Sequence, residues 1–261
     1  MTSPQFIDTH CHLDESSFEN DVEHVINSAR EAGVITMLTI GTTRESSERA
    51  IALAEKFDTV FAAVGIQPNY VAEAKSGDWE RILELAQHPR VIAIGETGLD
   101  KYWDYSSLEL QADYFDRHIE LSRETGKPFI VHNREADTEI VKQLQGQAKQ
   151  GQLQGVMHSF CADQKTAEAC LELGLYISFA GMVTFKRNEE LRTIAQKIPA
   201  EKLLIETDSP YLSPHPMRGK RNEPARVALT AQVLADVREV SLEELASQTT
   251  RNAKGLFNIP E

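Results

Sequence analysis

Cysteine, positive charge and long apolar runs are all scarce in this 261-residue chain. The three cysteines are few and odd in number, and no two of them have Cys-x-x-Cys spacing. This excludes a disulfide framework and favours a reducing compartment. No apolar stretch approaches the ~18 residues that span a bilayer, and residues 1–5 carry no basic leader. We therefore expect a cytoplasmic protein with no membrane association and no obligate protein partner.

The shortage of positive charge limits the ligands that the chain can bind. There are 27 Lys and Arg residues against 40 Asp and Glu residues, which gives a net charge of −13. A protein that coats duplex DNA needs a basic face to displace counterions from phosphates, so that class is excluded. A nucleic acid handled at one small site stays compatible with this balance, especially where bound cations supply the positive charge.

Short apolar runs alternate with longer amphipathic stretches along the whole chain. The runs are aliphatic or β-branched and bounded by Gly or Pro, which predicts eight strands. They are Phe6–Thr9, Val34–Gly41, Val60–Gly65, Val91–Gly95, Pro128–His132, Gly155–His158, Leu175–Phe179 and Leu203–Glu206. Near-continuous apolar strands that alternate with helices predict an α/β fold, a (β/α)8 TIM barrel in one domain over residues 1–261. A doubly wound sheet is the alternative, but no Gly-x-Gly-x-x-Gly follows the first run.

Hydroxyl residues and glycines predict where several helices begin and end. A Ser or Thr followed three residues later by Glu is typical of a capping box, and four helices are predicted to begin at Ser16, Thr42, Ser106 and Ser241. Three helices are predicted to end at Gly33, Gly126 and Gly174. The last helix, Leu242–Phe257, is expected to pack on the outside of the barrel.

Metal-ligand residue types follow five of the eight predicted strands. They are His10, His12, Glu96, His132, His158 and Asp208. Singly, each is compatible with a structural role, which is the more common one for a lone histidine, and Asp208 could begin the turn before Pro210. Together they meet at one end of a barrel, because parallel strands carry their carboxyl ends to the same face. Four imidazoles and two carboxylates predict two divalent cations that share one carboxylate and activate a water.

Several segments resemble the signatures of the TatD family of metal-dependent hydrolases. Segment 6–14, FIDTHCHLD, resembles the opening motif of the family, and segment 95–100, GETGLD, resembles the second motif. Segment 132–136, HNREA, is similar to the third motif, and LLIETDSPYL at 203–212 with RGKRNEP at 218–224 is similar to the fourth. Segment 252–257 fits the closing helix of the family, so the resemblance extends over the whole chain.

This resemblance implies an amidohydrolase-like TIM barrel that acts as a deoxyribonuclease on DNA ends, preferably single-stranded. It implies that one metal takes His10, His12 and Asp208 and that the other takes His132 and His158. Glu96 would bridge the two metals, and Asp208 would also hold the attacking water. Glu96 and Asp208 are therefore the predicted catalytic residues.

The substrate-binding residues are predicted partly from a departure from the family pattern. Gly-Ile-Gln-Pro at 65–68 stands where the family usually has Gly-x-His-Pro, so Gln67 offers a hydrogen bond but no transferable proton. Arg134 is predicted to bind a phosphate beside the metals. The basic loop with Arg218, Lys220 and Arg221 follows strand eight, where phosphate sites recur in TIM barrels.

The remaining predictions concern supporting residues. Asp8 and Glu206 precede His10 and Asp208 by two positions, so they are predicted either to orient the ligands or to join an internal salt bridge. Trp103 is predicted to lie on the active face and Trp79 in the core.

Two other functions stay open at this point. The same centre can hydrolyse an ester or amide, including an aminoacyl-RNA ester or a cyclic amide, and a barrel that binds metal without turnover is a further alternative. The histidine-rich ligand set suits Zn, Mn, Co or Ni better than Mg.

Overall fold

All eight predicted strands are present in the computed structural model, which describes residues 4–259, and they form one parallel sheet in chain order. The strands β1–β8 are Phe6–Cys11, Val34–Ile40, Val60–Val64, Val91–Asp100, Phe129–Arg134, Gly155–Met157, Tyr176–Phe179 and Leu203–Ile205. The predicted α/β barrel is therefore confirmed. Residues 1–3 of the amino-terminal segment, for which no basic leader is predicted, lie outside the described residues. Within residues 4–259, no helix combines the length and apolarity that a membrane crossing requires.

The barrel closes where β1 meets the chain just after β8. Cys11 and Ser209 form a parallel bridge, and the backbone N–H of His12 donates to the Ser209 carbonyl at 2.7 Å. The N–H of Asp208 donates to the His10 carbonyl at 2.9 Å. Closure therefore brings the first and last candidate ligands side by side.

Helices connect the strands and surround the barrel. In chain order, α1–α9 are Val22–Glu31, Arg44–Lys56, Asp78–Leu85, Leu108–Thr125, Asp137–Ala148, Gln164–Glu172, Glu189–Lys197, Val227–Arg238 and Leu242–Phe257. The predicted glycine ends are confirmed, since Gly33, Gly126 and Gly174 all have positive φ angles. Short 3-10 turns lie at Ser16–Phe18, Pro68–Glu73, Gly181–Thr184, Ala200–Lys202 and Pro224–Arg226.

Three of the four predicted helix starts are wrong in detail. Thr43 rather than Thr42 caps α2, and Ser107 rather than Ser106 caps α4. Two hydroxyl residues are adjacent in both places, so the sequence pattern is displaced by one position. Ser16 begins a 3-10 turn instead of capping a helix, whereas the Ser241 cap is confirmed.

The last helix does more than pack on the exterior, which corrects the sequence prediction. Leu245 and Ala246, in its first half, belong to the outer core between strands and helices. Its last turns bring Leu256 and Phe257, followed by Ile259, against the side chains inside the barrel. Those interior residues are Ile7, Leu38, Ile40, Phe61, Ala63, Ala93, Ile130, Val156 and Leu204. The end of α9 therefore seals the amino-terminal mouth of the barrel.

Candidate metal centre and active-site cavity

The two histidines at the end of β1 point at the same place. β1 contains one residue more than β2 between Asp8 and Cys11, so the strand bulges immediately before the site. The Nε2 atoms of His10 and His12 lie 3.3 Å apart. The Nδ1 atom of His12 donates to the Ile40 carbonyl at 3.1 Å, which leaves Nε2 free as a ligand atom. The backbone therefore presents two imidazole nitrogens to one point.

Glu96 lies in β4 at the centre of the four imidazoles. Its Oε1 atom is 2.8 Å from Nδ1 of His132 and 3.2 Å from Nε2 of His158. Its Oε2 atom is 3.4 Å from Nε2 of His10. One carboxylate oxygen therefore faces the histidines of β5 and β6 and the other faces the histidines at the end of β1, which is the arrangement that a bridging ligand requires.

Asp208 completes the group around β1. Its Oδ1 atom is 3.5 Å from Nε2 of His12 and 3.8 Å from Nε2 of His10. Ligand bonds of ~2.0–2.1 Å in tetrahedral geometry place neighbouring donor atoms ~3.4 Å apart, so these spacings fit a bound cation. Three groups among the described residues have ligand atoms close enough to hold one: His10, His12 and Asp208; Glu96, His132 and His158; and His10, His158 and Glu206. The first two groups share no residue, whereas the third takes one histidine from each of them.

The charges of the centre reinforce one another. Burial alone raises the pKa of Glu96, but the charge of His158 and the hydrogen bonds from the surrounding imidazoles outweigh it and lower the pKa well below its usual value. Burial lowers the pKa of His12, but its hydrogen bond with Asp208 and the nearby carboxylates raise it to about 9. Buried carboxylates that stay ionised are suited to binding cations.

Asp100 is a site residue that sequence reasoning missed. Its Oδ2 atom accepts a hydrogen bond from Nε2 of His132 at 2.9 Å, while the other ring nitrogen of His132 faces Glu96. The side chain therefore fixes the orientation and tautomer of a candidate ligand. The available signal was strand alternation, because Asp100 ends β4 four positions after Glu96 and thus on the same side.

The two predicted supporting carboxylates have different roles. Glu206 faces Nδ1 of His158 at 3.3 Å and accepts from the Ser159 N–H at 2.7 Å, so it orients His158. Asp8 instead accepts from the hydroxyl and the N–H of Thr207, at 2.5 and 2.8 Å, and contacts His10 only through its backbone N–H. The predicted alignment of Asp8 with the ligand imidazole is wrong because the β1 bulge changes the alternation.

An open cavity of about 530 Å³ lies over the centre. Its lining includes Gln67 and Arg134, together with His12, Glu96, His132, His158 and Asp208. His10 is fully buried beneath it. A second cavity of about 550 Å³, between α4 and α5, contains no imidazole in its lining. The chemistry of the described residues is therefore concentrated in the first cavity.

Comparison with known proteins identifies this arrangement. A family model described as TatD related DNase matches residues 7–258. The metal-dependent hydrolase YabD of Bacillus subtilis, itself uncharacterized, is 40% identical over 252 residues, which cover 97% of this chain and 98% of YabD. The crystal structure of YjjV, a TatD homolog from Escherichia coli, has a TM-score of 0.91 at 31% identity and covers 98% of each chain. The chain belongs to the TatD family of metal-dependent hydrolases.

The barrel of this TatD-family chain also resembles a more distant structure. An uncharacterized amidohydrolase from Saccharomyces cerevisiae has a TM-score of 0.83 at 20% identity, with 97% of this chain and 100% of the yeast chain covered. This likeness concerns the fold alone. It agrees with the prediction of a TIM barrel.

The predicted phosphate-binding residues of this TatD-family chain fall into two places. Arg134 lines the cavity and holds its guanidinium 3.9 Å from the Tyr102 ring. Arg218 packs over the Phe185 ring at 4.0 Å, and neither it nor Lys220 lines the cavity. Arg221 is neutralised by Asp21, whose carboxylate accepts from it at 2.7 and 2.9 Å. Of the predicted phosphate-binding residues, the structure therefore places Arg134 in the cavity wall and the basic loop outside it.

Gln67 lies in the cavity wall and already uses half of its amide. Its side-chain oxygen accepts from the Asn69 N–H at 2.8 Å and caps the turn at Pro68–Glu73. The amide nitrogen remains as its donor toward the cavity. This arrangement agrees with the expectation that residue 67 contributes hydrogen bonding but no transferable proton.

Proposed function

We propose that this TatD-family hydrolase cleaves phosphodiester bonds at the ends of DNA, with a preference for single strands and with two divalent cations in the centre. The observation that carries the proposal is the position of Glu96, whose two oxygens face separate ligand groups beneath an open cavity. The three cysteines are free, which supports a reducing, cytoplasmic location.

The side chains of the cavity have complementary tasks in this reaction. A pair of divalent cations held by the six ligands would supply an activated water and stabilise charge on the phosphoryl group. Asp208 is ionised, because its imidazole neighbours overcome the effect of burial and lower its pKa, and it holds the attacking water. Arg134 binds the phosphate, and Gln67 donates a hydrogen bond to it. Arg218 and Lys220 can contact only a strand that extends beyond the cavity.

The charge of the cavity makes substrate binding depend on the cations. Four carboxylates line it, namely Glu15, Glu96, Asp100 and Asp208, whereas Arg134 is the only Lys or Arg among the described lining residues. In the metal-free cavity the raised pKa values of His12 and His158 let imidazolium charges offset these carboxylates, whereas bound cations add positive charge beside Arg134. A phosphate is therefore attracted more strongly to the metal-loaded cavity than to the metal-free one. We expect a chelator to abolish DNA binding as well as turnover, whereas a site used only for chemistry would lose turnover alone.

The proposed stoichiometry has a direct test. Elemental analysis of protein refilled separately with Zn, Mn, Co, Ni and Mg should give two ions per chain for the native metal. His132→Ala removes one ligand of the second group and should leave one ion bound at His10, His12 and Asp208. A replete wild type that holds a single ion would contradict the binuclear proposal.

The proposed substrate class is tested by direct competition among substrates. Labelled single-stranded DNA, a carboxylic ester and a cyclic amide are assayed with Mg, Mn and Zn. Ester or amide hydrolysis is the second candidate, since Gln67 stands where the family usually has a histidine and so departs from the pattern of the nuclease site. Turnover of the ester or amide without the DNA would overturn the nuclease proposal, and turnover of none would favour a non-catalytic metal-binding barrel.

Residue 67 sharpens this choice. If the chain is a nuclease, Gln67→His should raise DNA turnover by up to about 10²–10⁴-fold, the range of general acid catalysis, when the imidazole aligns. Gln67→Ala, the matched control, should lose only a modest factor. DNA turnover that stays absent in Gln67→His while the wild type hydrolyses an ester or amide would assign residue 67 to a different substrate class.

A further inference from the structure

Five of the six exposed large apolar side chains of the described residues lie at or beside the mouth of the active-site cavity, and the sixth, Leu108, lines the cavity between α4 and α5. Six are exposed: Tyr70, Tyr102, Trp103, Tyr105, Leu108 and Tyr211. Tyr70, Trp103 and Tyr211 line the cavity, and Tyr102 and Tyr105 flank Trp103 in the loop after β4. We call these five aromatic residues the aromatic rim. Apolar surface that is concentrated in this way marks a binding site.

The rim presents flat aromatic faces beside one cation. Trp103 and Tyr105 are stacked, with ring centroids 5.4 Å apart and an interplanar angle of 12°. Tyr102 meets Trp103 edge-on at 4.7 Å. The guanidinium of Arg134 lies 3.9 Å from the Tyr102 ring and 5.7 Å from the Trp103 ring. Planar π-systems interleaved with positive charge suit a ligand that has planar bases and anionic linkages.

The rim is fixed to the catalytic centre through Asp100. Its Oδ1 atom accepts hydrogen bonds from the N–H groups of Tyr102 and Trp103, at 3.0 and 3.1 Å. Its Oδ2 atom accepts from the ring of His132. One carboxylate therefore sets both the orientation of a candidate metal ligand and the position of the aromatic loop. A ligand stacked on the loop lies at a fixed distance from the reacting phosphate.

The opposite side of the mouth is tied to the centre by Tyr211. Its ring packs edge-on against His12 at a centroid distance of 5.9 Å, and its hydroxyl donates to Glu15 at 3.2 Å. The rim therefore borders the centre on two sides, after β4 and after β8.

We propose that the unpaired bases next to the scissile phosphate stack on the aromatic rim, so that the rim selects single-stranded ends. This inference rests on the proposed phosphodiesterase function. Every base has a π-face, and stacking on aromatic side chains tolerates any sequence. Bases inside a duplex are already stacked and paired, so a duplex end cannot use the rim without fraying.

The kinetic test compares two single strands with the same sugar-phosphate backbone, one with bases and one with abasic terminal nucleotides. In the wild type, KM should be lower for the strand with bases. Trp103→Ala should raise KM for that strand roughly tenfold and bring it to the abasic value, while Trp103→Phe should keep most of the preference. Trp79→Phe is the control, because Trp79 packs on Tyr114 and His118 and should leave both KM values unchanged.

A binding test separates this inference from the proposed function. The chain has two tryptophans, so Trp79→Phe leaves Trp103 as the only tryptophan reporter. Deoxyadenosine 5′-monophosphate should quench its fluorescence in the metal-loaded protein, whereas deoxyribose 5-phosphate should not. Equal KM values for the two strands, or equal effects of the two phosphates, would overturn the stacking role.

Failure of DNA hydrolysis has a separate meaning from failure of stacking. If neither strand is cleaved but the nucleotide alone quenches Trp103, the phosphodiesterase proposal fails and the rim remains a base-binding surface. If phosphatidylcholine vesicles change the fluorescence and the nucleotide does not, the rim is a membrane contact and the stacking proposal fails.

Discussion

The two ends of the barrel differ in almost every physical respect. At the amino-terminal end, Leu256, Phe257 and Ile259 fill the mouth with buried apolar side chains. At the carboxyl end, four imidazoles surround buried carboxylates below an open cavity. A buried charged cluster costs free energy unless its charges are compensated. Stability is therefore concentrated at one end, and the other is free to carry chemistry, as in other TIM barrels.

Backbone conformation shows the same division. Six described residues other than glycine have positive φ angles, and three of them, Ser159, Asp208 and Leu212, line the cavity. Two others, Glu239 and Asn258, simply end helices α8 and α9. A left-handed residue without a capping role costs roughly 1–3 kcal/mol and clusters at functional sites. The backbone is thus more strained at the carboxyl end of the barrel than at the amino-terminal end. Variants at the carboxyl end should mainly lose activity, and variants at the amino-terminal end should mainly lose stability.

The largest expected effect is the loss of activity in Glu96→Ala. Removal of the side chain that faces both ligand groups should release both ions and reduce turnover to the level of chelated protein. Glu84→Ala, which removes a carboxylate from a surface pair with Arg81, is the matched control and should keep full activity. Metal analysis and DNA turnover check the pair, and two retained ions in Glu96→Ala would show that the carboxylate does not bridge.

Phe257→Ala should destabilise the protein at the amino-terminal end of the barrel. Removal of a fully buried phenyl ring should lower the free energy of unfolding by about 3–5 kcal/mol. The metal content of the folded protein should stay at the wild-type value, because the ring lies in the interior cluster of apolar side chains rather than in the cavity. Denaturant titration and elemental analysis on the same sample test both statements, and metal loss in folded protein would show that the two ends are coupled.

A buried histidine of α4, His118, should make stability fall in acid. Nε2 of His118 accepts from the Ile66 N–H at 3.0 Å and Nδ1 faces the Tyr114 carbonyl at 2.6 Å, so the neutral ring fits its partners. Burial lowers its pKa from 6.5 to about 4, a difference of about 3 kcal/mol at ~1.4 kcal/mol per unit. The unfolded chain takes up the proton first, so this stability is present above pH 6.5 and is lost as the pH falls toward 4.

Comparison of the wild type with His118→Asn isolates the contribution of this histidine to the pH dependence of stability. The free energy of unfolding of the wild type should fall by roughly 2 kcal/mol more than that of His118→Asn between pH 7 and pH 5. The other titrating groups are common to both proteins and cancel in the difference. A difference that is independent of pH would contradict the buried neutral histidine.

The smallest of these effects is expected for Asp100→Asn. This nearly isosteric change weakens the support of His132, and it should reduce affinity for the second ion by about 10–100-fold without unfolding the protein. Asp116→Asn is the control, since Asp116 accepts hydrogen bonds from two glutamines of α5 on the outer surface. Titration with a competing chelator measures both variants, and equal affinities would leave Asp100 as an anchor for the aromatic loop only.

The sequence predicts the layout of this site better than its supporting contacts. Strands covered on both faces give continuous apolar runs, and a barrel brings together the residues that follow those strands. The six candidate ligands could therefore be predicted from the sequence alone. The contact of Asp100 with His132 and the neutralisation of Arg221 by Asp21 depend on separations of 32 and 200 positions. Patterns within a short stretch of sequence cannot predict pairs that are so far apart in the chain. The β1 bulge likewise displaced Asp8 from its predicted place.

The hydrogen bonds between Asp8 and Thr207 have a consequence for the order in which the protein folds during synthesis. These residues are 199 positions apart, and the neighbouring ligands His10 and Asp208 belong to the same junction. A growing chain has its first two histidines at the start of synthesis, but their carboxylate partner Asp208 emerges only after all eight strands have been made. The first candidate ligand group is therefore assembled only when the barrel closes, and a prematurely terminated chain lacks it.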